Sequence, residues 1–139
     1  MRRLILLVCL PVFVACVKTN AAVLDITQQF TPICPDGVKV FLDTTRVSRP
    51  YQEVALLNSS GESGSTSEAG MIKSQRQKAA QLGANAIILG GFQEPKAGTK
   101  IIGAVLGTGA QRKGSAMAIY ISGDSTRVRA ACVGTENRN

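Results

Sequence analysis

The chain has 139 residues, sixteen Lys and Arg against nine Asp and Glu for a net charge of +7, and neither histidine nor tryptophan. That length holds one domain, and the lack of histidine removes the commonest general base and the commonest metal ligand together, so neither a Ser-His-Asp nor a Cys-His site can be built. With two Tyr and four Phe, a stacking platform for single-stranded nucleic acid would be thinly equipped.

In chain order, Arg2 and Arg3 precede an uncharged apolar run from Leu4 to Ala15. About a dozen apolar residues suit a secretory signal and fall short of the roughly 20 that a spanning helix needs. Residues 1–15 are therefore read as a signal peptide. The run closes on Phe13-Val14-Ala15-Cys16, which resembles the lipobox of bacterial lipoproteins, with Phe13 standing where that pattern has Leu. The resemblance implies that Cys16 is diacylated on sulfur, becomes the new N-terminus and is acylated with a further fatty acid, such as palmitate, on its amine. Val17 in place of Asp then implies the outer membrane, facing the periplasm. The alternative is an ordinary leader cut near Ala21 or Ala22, with Cys16 one of its apolar residues.

Cys9 falls in the leader and Cys16 is taken by lipid, which leaves Cys34 and Cys132. In an oxidising compartment an even pair predicts a disulfide; the other reading is two buried thiols. Residues 16–33 read as a tether, 34–133 as one compact domain and 134–139 as a tail. Within the domain, 37–43 alternates Val38, Val40 and Leu42 with Lys39, Phe41 and Asp43 and predicts a strand. Residues 51–58 predict a second. The polar stretch 59–67 reads as a loop in which Ser65 caps a helix and Glu68 returns the bond. The helix, about 67–82, carries a narrow stripe of Ala69, Ile72, Arg76, Ala79 and Leu82 and stops at Gly83. Residues 84–92 predict a buried strand, so the helix makes a βαβ crossover with parallel strands. Residues 101–114 read as a glycine-rich hairpin or loop, 115–122 as a strand, and 126–133, with Val128, Ala130 and Cys132 alternating with Arg127 and Arg129, as an edge strand. The fold class is α+β or small α/β: one mixed sheet of four to five strands with one long helix on it, in β-β-α-β-β order.

Gly103, Gly107, Gly109 and Gly114 do not give the phosphate-loop spacing, and Lys113 is followed by glycine instead of a hydroxyl. Two cysteines and the scattered Asp36, Asp43, Glu53 and Asp124 include no C-x-x-C pair, so no metal and no cofactor are expected. Ser74 lies near Lys73 and Lys78, but a serine on a helix surface is a poor nucleophile without a pocket.

The combination RPYQEVALL, KAAQLGANAIILGGF and AMAIYI resembles the small envelope lipoproteins of the RcsF-like family and, more remotely, the YbjQ-like domains. The shared positions are Tyr51, Glu53, Ala79, Leu82, Gly83, Ala84, Asn85 and Ala86, within a likeness spanning roughly residues 34–122. The resemblance implies a non-catalytic envelope protein working through protein contacts or as a sensor. The family's paired disulfides are not reproduced, and the ligands for the metal sometimes assigned to YbjQ-like domains are absent.

The reading is a lipid-anchored interaction or sensing module that is not an enzyme. Cys16 is its anchor, Cys34 and Cys132 its staple, and Lys96, Lys100, Arg112, Lys113, Arg127 and Arg129 are candidate contacts for anionic lipid or an envelope protein partner. Nucleic acid is excluded as a partner because export separates the chain from it. The alternative is a secreted enzyme with an unrecognised carboxylate or Ser-Lys site.

Overall fold

The computed structural model describes residues 17–106 and 109–136. Residues 1–15, expected to be a signal peptide, and Cys16 lie outside the described residues. Five strands, β1 (Lys18–Val23), β2 (Lys39–Phe41), β3 (Tyr51–Glu62), β4 (Ala86–Gln93) and β5 (Gln111–Ile121), form one mixed sheet in the order β1-β3-β5-β4-β2. Three helices accompany it: α1 (Glu68–Gln81), α2 (Ala97–Leu106) and α3 (Ser125–Glu136). The α+β class holds, but the helix count and the element order β-β-β-α-β-α-β-α differ from expectation.

α1 begins where the Ser67 hydroxyl accepts from Gly70 N–H at 3.1 Å, so the cap is Ser67 and not Ser65. It ends in a Schellman turn: Gly83 N–H donates to Ala80 O and Ala84 N–H to Ala79 O, both at 3.0 Å. Gly83 takes the left-handed conformation this requires, with φ of 75°, and a Cβ there would fall 2.5 Å from Phe30 Cβ. The buried side of α1 is Met71, Gln75, Ala79 and Ala80, a step round the helix from the predicted stripe, and Ala69 is exposed. Gln75 can be buried because its amide donates to Ser59 Oγ at 2.9 Å, and Ser59 donates in turn to Gly114 O at 3.1 Å.

Beneath α1 lies the main core of Val38, Val54, Ala55, Leu57, Ile87, Ala116 and Ala118. Much of it is alanine, which lets the helix sit close to the sheet while burying little area per residue. A second cluster of Phe41, Ala86, Ile88, Ile119 and Ile121 occupies one end of the opposite face. α1 crosses from β3 to β4, and both are antiparallel to β5, so they share a direction as the βαβ reading requires. β5 nevertheless sits between them, and the adjacent parallel pair is β2 with β4.

Four segments depart from the sequence reading, the shortest being residues 59–62, which continue β3 where the sequence predicts a loop. The N-terminal part of the predicted tether is β1, an edge strand antiparallel to β3, tied to α1 by a 2.6 Å hydrogen bond between Thr19 Oγ1 and Ser74 Oγ. Its sheet-inward positions Thr19, Ala21 and Val23 carry too little apolar bulk to announce a strand. Residues 97–106 are helical, although the glycines of 101–114 predict a hairpin or loop, and β5 starts four residues before the strand predicted from 115. Residues 125–136, read as an edge strand and a tail, form α3. The Val128 and Cys132 spacing of four that fits every second residue of a strand also fits one face of a helix, and that face packs on the Ile33–Gly37 turn.

Cys34 and Cys132 are bonded, with Cα atoms 5.6 Å apart across 98 residues of sequence. In the chain-entropy account a loop of that length is stabilised by about 4–5 kcal/mol, a large share for an alanine-rich core. Gly83→Ala is expected to lower stability by about 2–4 kcal/mol, from left-handed strain plus overpacking against Phe30. Equilibrium urea unfolding of the two chains measures it.

Candidate functional site

One face of the sheet carries α1, and no helix packs substantially on the other among the described residues. The register sorts this open face into rows. At one end Ala22, Leu56, Met117, Ile88 and Phe41 run side by side across all five strands. The next row is Asn20, Asn58, Ser115 and Gly91, and the next Lys18, Ser60, Lys113 and Gln93. The face therefore grades from aliphatic through amide and hydroxyl to cationic within three rows, each about 7 Å from the last.

The two polar rows floor a groove of about 600 Å³. β4 breaks register between Leu89 and Gly91 there, and a Cβ on Gly90 would come 2.5 Å from Ser115 Oγ, so glycine keeps the floor open. Lys18 and Lys113 are both exposed and lie two strands apart, about 10 Å across the sheet. The groove offers amide and hydroxyl groups that both donate and accept, flanked by two ammonium groups. Such a surface carries the hydrogen-bonding groups that a polar or anionic partner would require. The single Lys113 was the only one of its residues visible as a candidate from sequence. Asn20, Asn58 and Ser115 give no signal until the register aligns them.

The six cationic candidates separate. Lys96 and Lys100 belong to the β4–β5 connection and Arg112 and Lys113 to the first residues of β5, while Arg127 and Arg129 lie on α3, beyond the other end of β5. Arg112 pairs with Glu94 and donates to Thr66 O at 2.7 Å, and Lys100 Nζ lies 3.8 Å from Glu94. Arg127 reaches Asp124 at 2.6 Å and donates to Asn85 O at 3.1 Å. Arg112 and Arg127 thus brace the fold, and Lys96, Lys113 and Arg129 are exposed.

A smaller hollow of about 210 Å³ at the Arg127 end brings in residues the sequence did not mark: Lys39, Arg46 and Arg49, with Asp124. Its charges are partly neutralised within it. Asp43 pairs with Arg46, and its carboxyl is held below the ordinary range first by the Thr45 hydroxyl and then by Arg46. Arg49 stands 3.9 Å from Asp124. Ser74, the one serine weighed as a nucleophile, is engaged with Thr19 and faces neither hollow. Among the described residues no three His, Cys, Asp or Glu side chains gather as a metal would require, and no helix is long and apolar enough to cross a membrane.

No family model and no curated protein matches the chain. Among solved structures it is similar to a Francisella virulence factor, FvfA, with a TM-score of 0.53 and 14% identity over 73% of this chain and 96% of that one. At that identity the likeness is one of fold.

The two arginines of α3 separate a bracing role from a surface one. Arg127→Ala is expected to lose about 1–2 kcal/mol of stability, because charge-assisted bonds to Asp124 and Asn85 O are removed. Arg129→Ala should stay within about 0.5 kcal/mol of the parent. Thermal unfolding of both variants, run side by side, checks the contrast.

Proposed function

We propose that this chain is a lipid-anchored cell-envelope protein, held at the outer membrane through Cys16 and facing the periplasm, that works as a non-catalytic interaction or sensing module. Membership of the RcsF-like group of envelope lipoproteins is part of this reading. The observation that carries it is the Cys34–Cys132 disulfide, a bond that persists in an oxidising compartment and is rare outside one, in a chain that opens with a short apolar leader closing on Cys16. The leader explains how the chain reaches such a compartment, and the bond is what the compartment supplies.

The interaction half rests on the open face. Its groove presents Asn20, Asn58, Ser60 and Ser115 beside Lys18 and Lys113, a set suited to holding a partner by many weak hydrogen bonds and two charges. The partner is an envelope protein with acidic and polar side chains on its contact surface. An activated serine needs a base within hydrogen-bond reach, and Ser59 and Ser74 spend their hydroxyls on Gly114 O and Thr19. The secreted-enzyme alternative, with a carboxylate or Ser-Lys site, would therefore have to draw on other groups, such as Ser60 opposite Lys113.

Expression of the full chain and of Cys16→Ser in a Gram-negative host tests the anchor. The parent should fractionate with outer membranes and carry the mass of three acyl chains, and Cys16→Ser should be released to the soluble envelope fraction without them. Identical masses and identical fractionation for the two would overturn the lipid-anchored reading.

A further inference from the structure

The connection between β4 and β5 is made by α2, which packs substantially on no other element among the described residues. Its sequence, AGTKIIGAVL, is apolar apart from Thr99 and Lys100. Ile101 and Val105 stand four residues apart, hence on one helical face, and are 67% and 79% exposed. A bare aliphatic ridge is unfavourable in water and marks a contact surface.

Its place in the fold says what covers it. β4 leaves the sheet at Gln93 and β5 enters it at Gln111, beside the row that holds Lys18 of β1 and Lys113. Val17, the residue after Cys16, therefore meets the sheet at the same pole from which α2 projects. That pole is cationic on its outside: Lys18, Lys96 and Lys113 are exposed, and Lys100 on α2 remains half exposed beside Glu94. The acids there are Glu94, shared between Lys100 and Arg112, and the exposed Glu62 and Glu68. An aliphatic ridge bordered by ammonium groups is the chemistry of a helix lying in the interface of an anionic bilayer.

We propose that α2 is a second membrane contact, its Ile101–Val105 ridge entering the headgroup region of the anionic bilayer to which Cys16 holds the chain; this rests on the lipid-anchored reading. An acyl anchor alone leaves a domain free to turn about one point. A second contact at the same pole fixes its orientation, with the polar groove beside the bilayer and α3 directed away from it.

Because the chain has no tryptophan, Val105→Trp creates a single emitter at a side chain whose exposure makes folding indifferent to the change. The full-length chain is purified in detergent and reconstituted in vesicles of phosphatidylglycerol with acyl-brominated phosphatidylcholine. Ile101→Trp is a second probe, and Ser122→Trp, exposed at the opposite pole, is the control. Residues seated about 5–10 Å into the interface should shift their emission to the blue and be quenched about twofold or more by the bromines, while Ser122→Trp is unchanged. Solvent-like, unquenched emission from both Val105→Trp and Ile101→Trp would overturn the proposal. The acyl mass on Cys16, read on the same samples, separates the two ideas. An acylated chain without quenching removes only the α2 contact, a quenched chain without acyl groups removes only the anchor, and absence of both removes both.

Discussion

The fold turns on the junction Leu82-Gly83-Ala84-Asn85, where a helix must stop within one residue of the sheet it covers. Asn85 makes this possible. Its side chain donates to Ile121 O and accepts from Ile121 N–H, both at 2.8 Å, standing in for a strand residue at the end of β5. Its backbone donates to Ile119 O and accepts from Lys39 N–H and the Arg127 guanidinium. One buried residue thus joins β2, β5 and α3 at the start of β4. Each of these groups would be costly to leave unpaired in the interior, so the four elements are fixed together. Gly83 supplies the reversal, and Phe30, stacked on Tyr120 at 4.4 Å, closes the space above it.

This junction was also the most legible part of the sequence, because its residues have few uses other than a helix stop packed into a strand. β3, α1, β4 and β5 were found for the same reason: their apolar periodicity answers to a core made mostly from those four elements. The misread segments are those whose structure is decided by distant partners. β1 is recruited by the free edge of β3 with little apolar pattern of its own, and α3 is set by the Cys34 bond and by Arg127. Val128, Ala130 and Cys132 satisfied a strand pattern and a helix pattern alike, and nothing local arbitrated. For α2 the glycines at 98 and 103 argued for a loop, while the aliphatic face that makes it a helix meets no core.

The candidate site was legible only in its cations, and those proved a poor guide. Charge along a sequence does not reveal whether a guanidinium is committed to a backbone carbonyl, as Arg112 is to Thr66 and Arg127 to Asn85. The groove is a property of register. Asn20, Asn58 and Ser115 are separated by dozens of residues and become one row only through the β1–β3 and β3–β5 pairings. A face that is aliphatic at one end only is also limited in how it can associate. Its aliphatic end is partly filled from within by Phe41 and Val47, which leaves the wetter end for outside contacts.

The Cys34–Cys132 bond brackets β2, β3, α1, β4, α2 and β5, so nearly the whole domain has to be delivered before the second sulfur arrives. Until then Cys34 has no Cys132 to close on. Truncated products cannot close the ring and keep that thiol. The clasp therefore closes last, since α3 carries the sulfur that locks the turn at Cys34.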